Sequence, residues 1–254
     1  MSGGQTTIVV MAKECIPGRV KTRLHPPLSY EDAARVAAAS LADTLAAVAV
    51  SGLPVVVCAQ GHVDVEAGVG SIPQVEGGLD ERIAAAFDAV EGRVLLVGMD
   101  TPQLDPHLLR RIAEEWPDDV DAFFGAAFDG GFWLLGLDDL PAGRLGGCTR
   151  GDLVRGVPMS TDRTGSDQRA RLTDAWLRVV DVAPLTDIDD LASLREVSVE
   201  VPAGGCLARL LPELGVVGRS PVGVGDASPG GVVDASPGVG GDASPGAGEP
   251  DGAR

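Results

Sequence analysis

Four cations, Lys13, Arg19, Lys21 and Arg23, fall within the stretch Met11 to Leu28, which reads MAKECIPGRVKTRLHPPL. The stretch follows an apolar run, Thr7 to Val10, on a chain whose formal charge is −17. A cationic loop leaving a first β-strand is a place where α/β proteins hold phosphate, since backbone N–H groups and side-chain cations converge there. The plainer alternative is a solvated surface loop. Acidic chemistry is available at Asp100, which ends the apolar run Arg93 to Met99. A carboxylate closing a buried strand sits at the carboxyl edge of a sheet, where it can hold a divalent cation against phosphate oxygens or simply cap a helix. A second acidic group, Asp187-Ile188-Asp189-Asp190, opens a helix. The helix dipole alone accounts for acids there, but three such neighbours repel, and a bound cation shared with Asp100 relieves that. Asp129-Gly130-Gly131 permits close backbone approach to a ligand, or only a tight turn.

These residues need strands and helices to bring them together. Thr6–Met11 reads as a central strand, apolar on both faces. Ser29, followed by Glu31 and Asp32, caps a helix to about Val50, with Leu41, Leu45 and Val48 on its core side. Leu53–Ala59 is a second strand, and Gln60–Gln74 an irregular connection. Leu79–Val90 is helical, Arg93–Met99 a third strand, and His107–Trp116 a helix started by Asp105-Pro106. Val120–Phe128 and Phe132–Leu137 are strands joined by a reversal or crossing at Asp129–Gly131. Asp138–Thr161 is a Gly- and Pro-rich excursion. Thr164–Leu177 is helical, Arg178–Val182 a strand, Asp189–Val197 a short helix, and Cys206–Leu214 a last helix. The alternation implies a mostly parallel sheet between helical layers. The domain is expected to run over 1–214. Residues 215–254 carry three DASPG repeats (Asp226–Gly230, Asp234–Gly238, Asp242–Gly246) and read as a disordered tail.

Composition narrows the classes. The pI of about 4.4 argues against nucleic acid and anionic membrane as partners. Cys15, Cys58, Cys148 and Cys206 are dispersed and fit reduced thiols in a cytoplasmic protein. No segment reads as a leader or as an uninterrupted bilayer span. Walker, GxGxxG and GxSxG motifs are missing, and His25, His62 and His107 show no ligand spacing.

PGRVKTRL with PPL, then QVEGGLDER (Gln74–Arg82), LLVGMDTPQL (Leu95–Leu104), DGGFWLLGL (Asp129–Leu137), MSTDRTGSDQRARL (Met159–Leu172) and DIDDL (Asp187–Leu191) occur in that order. Together they resemble the radical-SAM/selenodomain-associated transferase family of the GT-A, or nucleotide-diphosphosugar transferase, superfamily. The resemblance covers about Thr6 to Val197. It implies a three-layer α/β/α sandwich, GT-A-like and Rossmann-like, with one antiparallel strand in a mostly parallel sheet. It implies a nucleotide or nucleotide-sugar donor and a small-molecule acceptor. Lys13, Gly18, Arg19, Lys21 and Arg23 would meet donor phosphates, and Gly78 and Leu79 the base or sugar. Asp100 would hold Mg²⁺ or Mn²⁺ with Asp187 or Asp189, leaving Lys21 and Asp100 as the catalytic residues. Two departures bear on the ligand set: Asp190 stands where threonine is expected, and Ser193 where a second acid is usual.

Three functions compete at this point. Glycosyl transfer from a nucleoside-diphosphate sugar follows the family naming. Nucleotidyl transfer from a triphosphate to a phosphorylated acceptor suits four cations, and the loop is similar to that of phospholactate guanylyltransferases. A non-catalytic nucleotide-binding module is the third.

Overall fold

A computed structural model describes residues 5–216. Of the expected tail, residues 217–254, which include the DASPG repeats, lie outside the described residues.

Seven strands form one sheet in the order β3-β2-β1-β4-β6-β5-β7. The strands are β1 (Thr6–Lys13), β2 (Val55–Gln60), β3 (Gly70–Pro73), β4 (Arg93–Gly98), β5 (Ala122–Ala127), β6 (Phe132–Leu137) and β7 (Val179–Leu185). Strand β1 pairs in parallel with β2 and β4, β2 with β3, and β5 with β7. Only β6 runs against its neighbours, β4 and β5. This is the expected α/β sandwich with one antiparallel strand. Helices are α1 (Tyr30–Val50), α2 (Leu79–Ala89), α3 (Pro106–Glu114), α4 (Thr164–Asp174), α5 (Leu191–Val197) and α6 (Cys206–Glu213).

The unbroken apolar strands are explained by burial on both faces. Ile8, Val10 and Ala12 of β1 join one core with Leu41 and Val48 of α1 and Leu109 of α3. Val9 and Met11 join a second core with Ile83 and Phe87 of α2 and Leu172 of α4. The period of two along a strand assigns each side chain to its layer. A third core lies outside the sheet, where Ala33, Val36 and Ala39 of α1 meet Leu194 of α5 and Leu207, Leu210 and Leu211 of α6.

That third core accounts for the composition of α1. Helix α1 spans 21 residues and contains an 18-residue window of mean hydropathy 1.5, long and apolar enough by composition to cross a membrane. Over half of that window is buried within the protein, because one side covers the sheet and another receives α5 and α6. An all-round apolar helix is what a position between two layers requires. Ser29 caps it as expected, its side chain accepting from the Asp32 N–H at 3.0 Å.

The connection Gln60–Gln74 is not wholly irregular. It contains β3, an edge strand in register from Val56↔Gly70 to Ala59↔Pro73. The sequence GSIP lacks the alternation that marks a strand, and Pro73 is tolerated at a sheet edge. Strand β7 extends past the expected Val182 to Leu185, and the Asp129–Gly131 connection is a reversal rather than a crossing.

Candidate nucleotide and metal site

The carboxyl ends of β1, β2, β4, β5 and β7 open onto one cavity of ≈ 610 Å³. Lys13, Asp100, Asp129, Asp187 and Asp189 all line it, as does Leu79. Each is placed by a strand end or helix start. Lys13 is the last residue of β1, and Gly78 is the N-cap of α2, whose first residue is Leu79. Asp100 follows β4, whose end is pinned by α1: Ser40 Oγ donates to the Met99 carbonyl at 2.9 Å.

Asp187 arrives from farther away. Its strand, β7, lies three positions from β4 in the sheet, about 14 Å at the usual strand spacing. The segment Thr186–Asp189 bridges that distance as a strap across the edge. Gln103 Nε2 donates to the Thr186 carbonyl at 2.7 Å, and the Ile188 N–H donates to the Asp100 carbonyl at 3.0 Å. Helix α5 anchors the strap's far end through a capping box. Asp190 Oδ1 accepts from the Ala192 and Ser193 N–H groups, and Ser193 Oγ accepts from the Asp190 N–H at 3.0 Å. Asp190 and Ser193, the two departures from the family pattern, are therefore a matched pair that orients the acids before them.

The basic loop divides in two. Lys21 adopts a left-handed backbone, φ 47° and ψ 38°, which is uncommon for a residue with a side chain. Its side chain is only 9% exposed. The ammonium donates to the Ile188 carbonyl and lies 2.8 Å from Asp100 Oδ2. Arg23 points elsewhere and pairs with Asp189, with 73% of its side chain exposed. Gly18 supplies φ +75° for a turn closed by Arg19 N–H donation to the Ile16 carbonyl at 3.0 Å. Gly18 and Arg19 are exposed and lie outside the cavity lining.

The carboxylates are electrostatically crowded. Burial first, then the charge of Asp129, push the Asp187 carboxyl up to about 6; Asp100 adds to this, while a backbone hydrogen bond and Lys21 oppose it. Asp100 Oδ1 and Asp187 Oδ1 are both buried without a hydrogen-bond partner among the described residues. Two orphaned carboxylate oxygens in one cavity are the donor type a hard divalent cation takes. Among the described residues no three His, Cys, Asp or Glu side chains are grouped as a complete cage. The residues thus fit a cation that completes its coordination with substrate oxygens and water, the usual habit of Mg²⁺.

Several lining residues have no role that their type or spacing alone gives, although most fall within QVEGGLDER or MSTDRTGSDQRARL. Gln60, Gln74 and Arg82 form one end of the cavity, and Met159, Ser160, Thr161 and Thr164 another wall. That wall is locked to the β5–β6 turn by Gly165 N–H donation to the Gly130 carbonyl at 2.7 Å. Gly130 has φ +94°, and a Cβ there would lie 2.2 Å from the Asp162 carbonyl oxygen. The close approach that two glycines permit is thus an approach of protein backbone.

The comparisons with known proteins agree with this architecture. A crystal structure from Desulfovibrio desulfuricans G20, named as a candidate nucleotide-diphospho-sugar transferase, superposes with TM-score 0.70 at 24% identity, covering 83% of this chain and 95% of that one. Rv0371c from Mycobacterium tuberculosis H37Rv gives TM-score 0.48 at 22% identity over 78% and 98% of the two chains. A cytidylyltransferase from Leptospira borgpetersenii serovar Hardjo-bovis (strain JB197) gives 0.49 at 10% identity over 86% and 99%. At such identities the likeness to the first of these shows a shared fold. No curated protein matches the chain. Residues 33–161, which contain Gln74–Arg82, Asp100 and the Asp129–Gly131 turn but not the basic loop or the strap, match a family described as an uncharacterized protein conserved in bacteria, and the chain belongs to that family, DUF2064.

Proposed function

We propose that the protein is a divalent-metal-dependent glycosyltransferase that uses a nucleoside-diphosphate sugar. The observation that carries this reading is the convergence of Lys13, Asp100, Asp129 and Asp187 on one cavity at the carboxyl edge, with Lys21 ion-paired to Asp100. Lys13 and Lys21 would neutralise the diphosphate, and Asp100 and Asp187 would hold the cation. Mg²⁺ or Mn²⁺ bound there would offset charge on the leaving group.

The distribution of cations favours a diphosphate over a triphosphate. Four basic residues in the loop suited nucleotidyl transfer, but of the four only Lys13 lines the cavity, while Lys21 and Arg23 are ion-paired with Asp100 and Asp189. Asp129 supports the same choice. It lines the cavity with no ion-pair partner among the described residues, its Oδ1 accepting from the Gly131 N–H at 2.7 Å. A carboxylate so held is suited to take the proton of an attacking hydroxyl. A phosphorylated acceptor would need no such base.

Thermal-shift titration tests the reading, with Mn²⁺ present and nucleoside-diphosphate sugars set against nucleoside triphosphates. A larger shift with a sugar nucleotide is expected. A larger shift with a triphosphate would transfer the reading to nucleotidyl transfer, and no shift with either would leave a binding module.

A further inference from the structure

Within the strap, Ile188 is tied to three separate parts of the molecule. Its N–H donates to the Asp100 carbonyl at 3.0 Å, just past the end of β4. Its carbonyl accepts from the Lys21 ammonium in the basic loop. Its side chain, 0% exposed, joins the third core with Leu194 of α5 and Leu207, Leu210 and Leu211 of α6. Leu24 and Leu28, which follow Lys21 in the chain, belong to the same core. Loop and strap are therefore seated on one apolar base. On either side of Ile188, Asp187 and Asp189 line the cavity. Asp187 Oδ1 has no hydrogen-bond partner among the described residues, and the charges of Asp129 and Asp100 bear on it. What holds Asp187 beside those charges is the backbone next to it, and Ile188 is where that backbone is attached.

We infer that Ile188 is a positioning residue for the cation site: its side chain, seated in the core of α1, α5 and α6, sets where Asp187 stands relative to Asp100. One backbone hydrogen bond to the Asp100 carbonyl fixes the register of the strap against β4 but lets the strap roll about that bond. A side chain interdigitated in a close-packed core does not. A β-branched residue suits the task, since its restricted χ1 couples the packed methyl groups to the backbone that carries Asp187. The assignment goes beyond the proposed function and rests on its cation site.

The test measures Mn²⁺ affinity by calorimetry, without nucleotide, in the wild type, Ile188→Ala, Ile188→Val and Leu207→Ala. Leu207 is equally buried in the same core but belongs to α6, outside the strap. Both alanine variants empty apolar volume and should lower the melting temperature. Ile188→Ala alone should weaken Mn²⁺, by about tenfold, as loss of a group that orients a metal ligand does, with Leu207→Ala within about twofold of the wild type. Ile188→Val removes one methyl group, should weaken Mn²⁺ about threefold, and serves if Ile188→Ala does not fold. Leu210→Ala, one turn along α6, is the control if Leu207→Ala does not fold. Unchanged Mn²⁺ affinity in the Ile188 variant that folds, or equal loss in the α6 control, would overturn the assignment while the cation site stands. If the wild type binds no Mn²⁺, the cation site itself fails and takes the assignment with it.

Discussion

Lys21 Nζ lies 2.8 Å from Asp100 Oδ2, so the innermost cation of the basic loop already neutralises the acid that closes β4. An ammonium and a metal ion compete for the same carboxylate. Truncation to Lys21→Ala is therefore expected to tighten binding of Mn²⁺ alone, by about tenfold for one removed cationic competitor. The same change should weaken nucleotide, because the loop loses its buried positive charge. Calorimetry with each ligand separately checks both signs, and weaker Mn²⁺ binding in the variant would rule out competition.

Asp187 carries a pH signature. Its carboxyl titrates at about 6 instead of the ordinary 3.8, so the folded state binds the proton more tightly than the unfolded state. The resulting stabilisation is complete below about pH 4 and disappears as pH rises through 6. Without metal, Asp187→Asn is expected to melt ~3 °C above the wild type at pH 8, and at the wild-type temperature near pH 4. A difference that does not change with pH would contradict the burial of charge at this position.

The strap depends on its cap. Replacing Asp190 by Ala removes the acceptor of two N–H groups at the start of α5, which should cost about 1 kcal/mol in urea denaturation. Asp190→Ser keeps an acceptor and should restore most of the loss.

Gly130 tests the locked wall. Its φ of +94° and the carbonyl of Asp162 leave no room for a methyl group. Gly130→Ala is expected to destabilise by more than about 1 kcal/mol, and exchange protection of the Gly165 N–H should fall with it. Gly18→Ala, whose Cβ meets nothing within 4 Å, should cost less, since only the left-handed backbone is penalised there.

The sheet was legible in the sequence because its central strands are buried on both faces and therefore written as unbroken apolar runs. Strand β3 was not: four residues at an edge, one of them proline, bear no periodicity. The acids at positions 100, 129 and 187 were visible as strand-end and turn residues, and the structure adds their shared cavity. How the loop's cations divide was not visible, since the pairing of Arg23 with Asp189 joins residues 166 apart in sequence. The amide at 60 was silent for a related reason, and Gln74 was visible only as the first residue of QVEGGLDER. A glutamine has meaning as donor or acceptor only once its neighbours have used half of it. The capping pair Asp190 and Ser193 did carry a local signal, an acid three residues ahead of a hydroxyl.

The strap of Thr186–Asp189 gives the cavity two kinds of wall. On one side, Lys13, Gln60 and Gln74 sit on adjoining strand ends whose spacing the sheet sets. On the other, Asp187 hangs on a short crossing between β7 and α5, held by hydrogen bonds to Gln103, Asp100 and Lys21. Insertions or deletions there would move one carboxylate relative to the other while leaving the amide end untouched. Chains that share this sheet can thus differ in where that second carboxylate sits while the strand-end wall keeps its spacing.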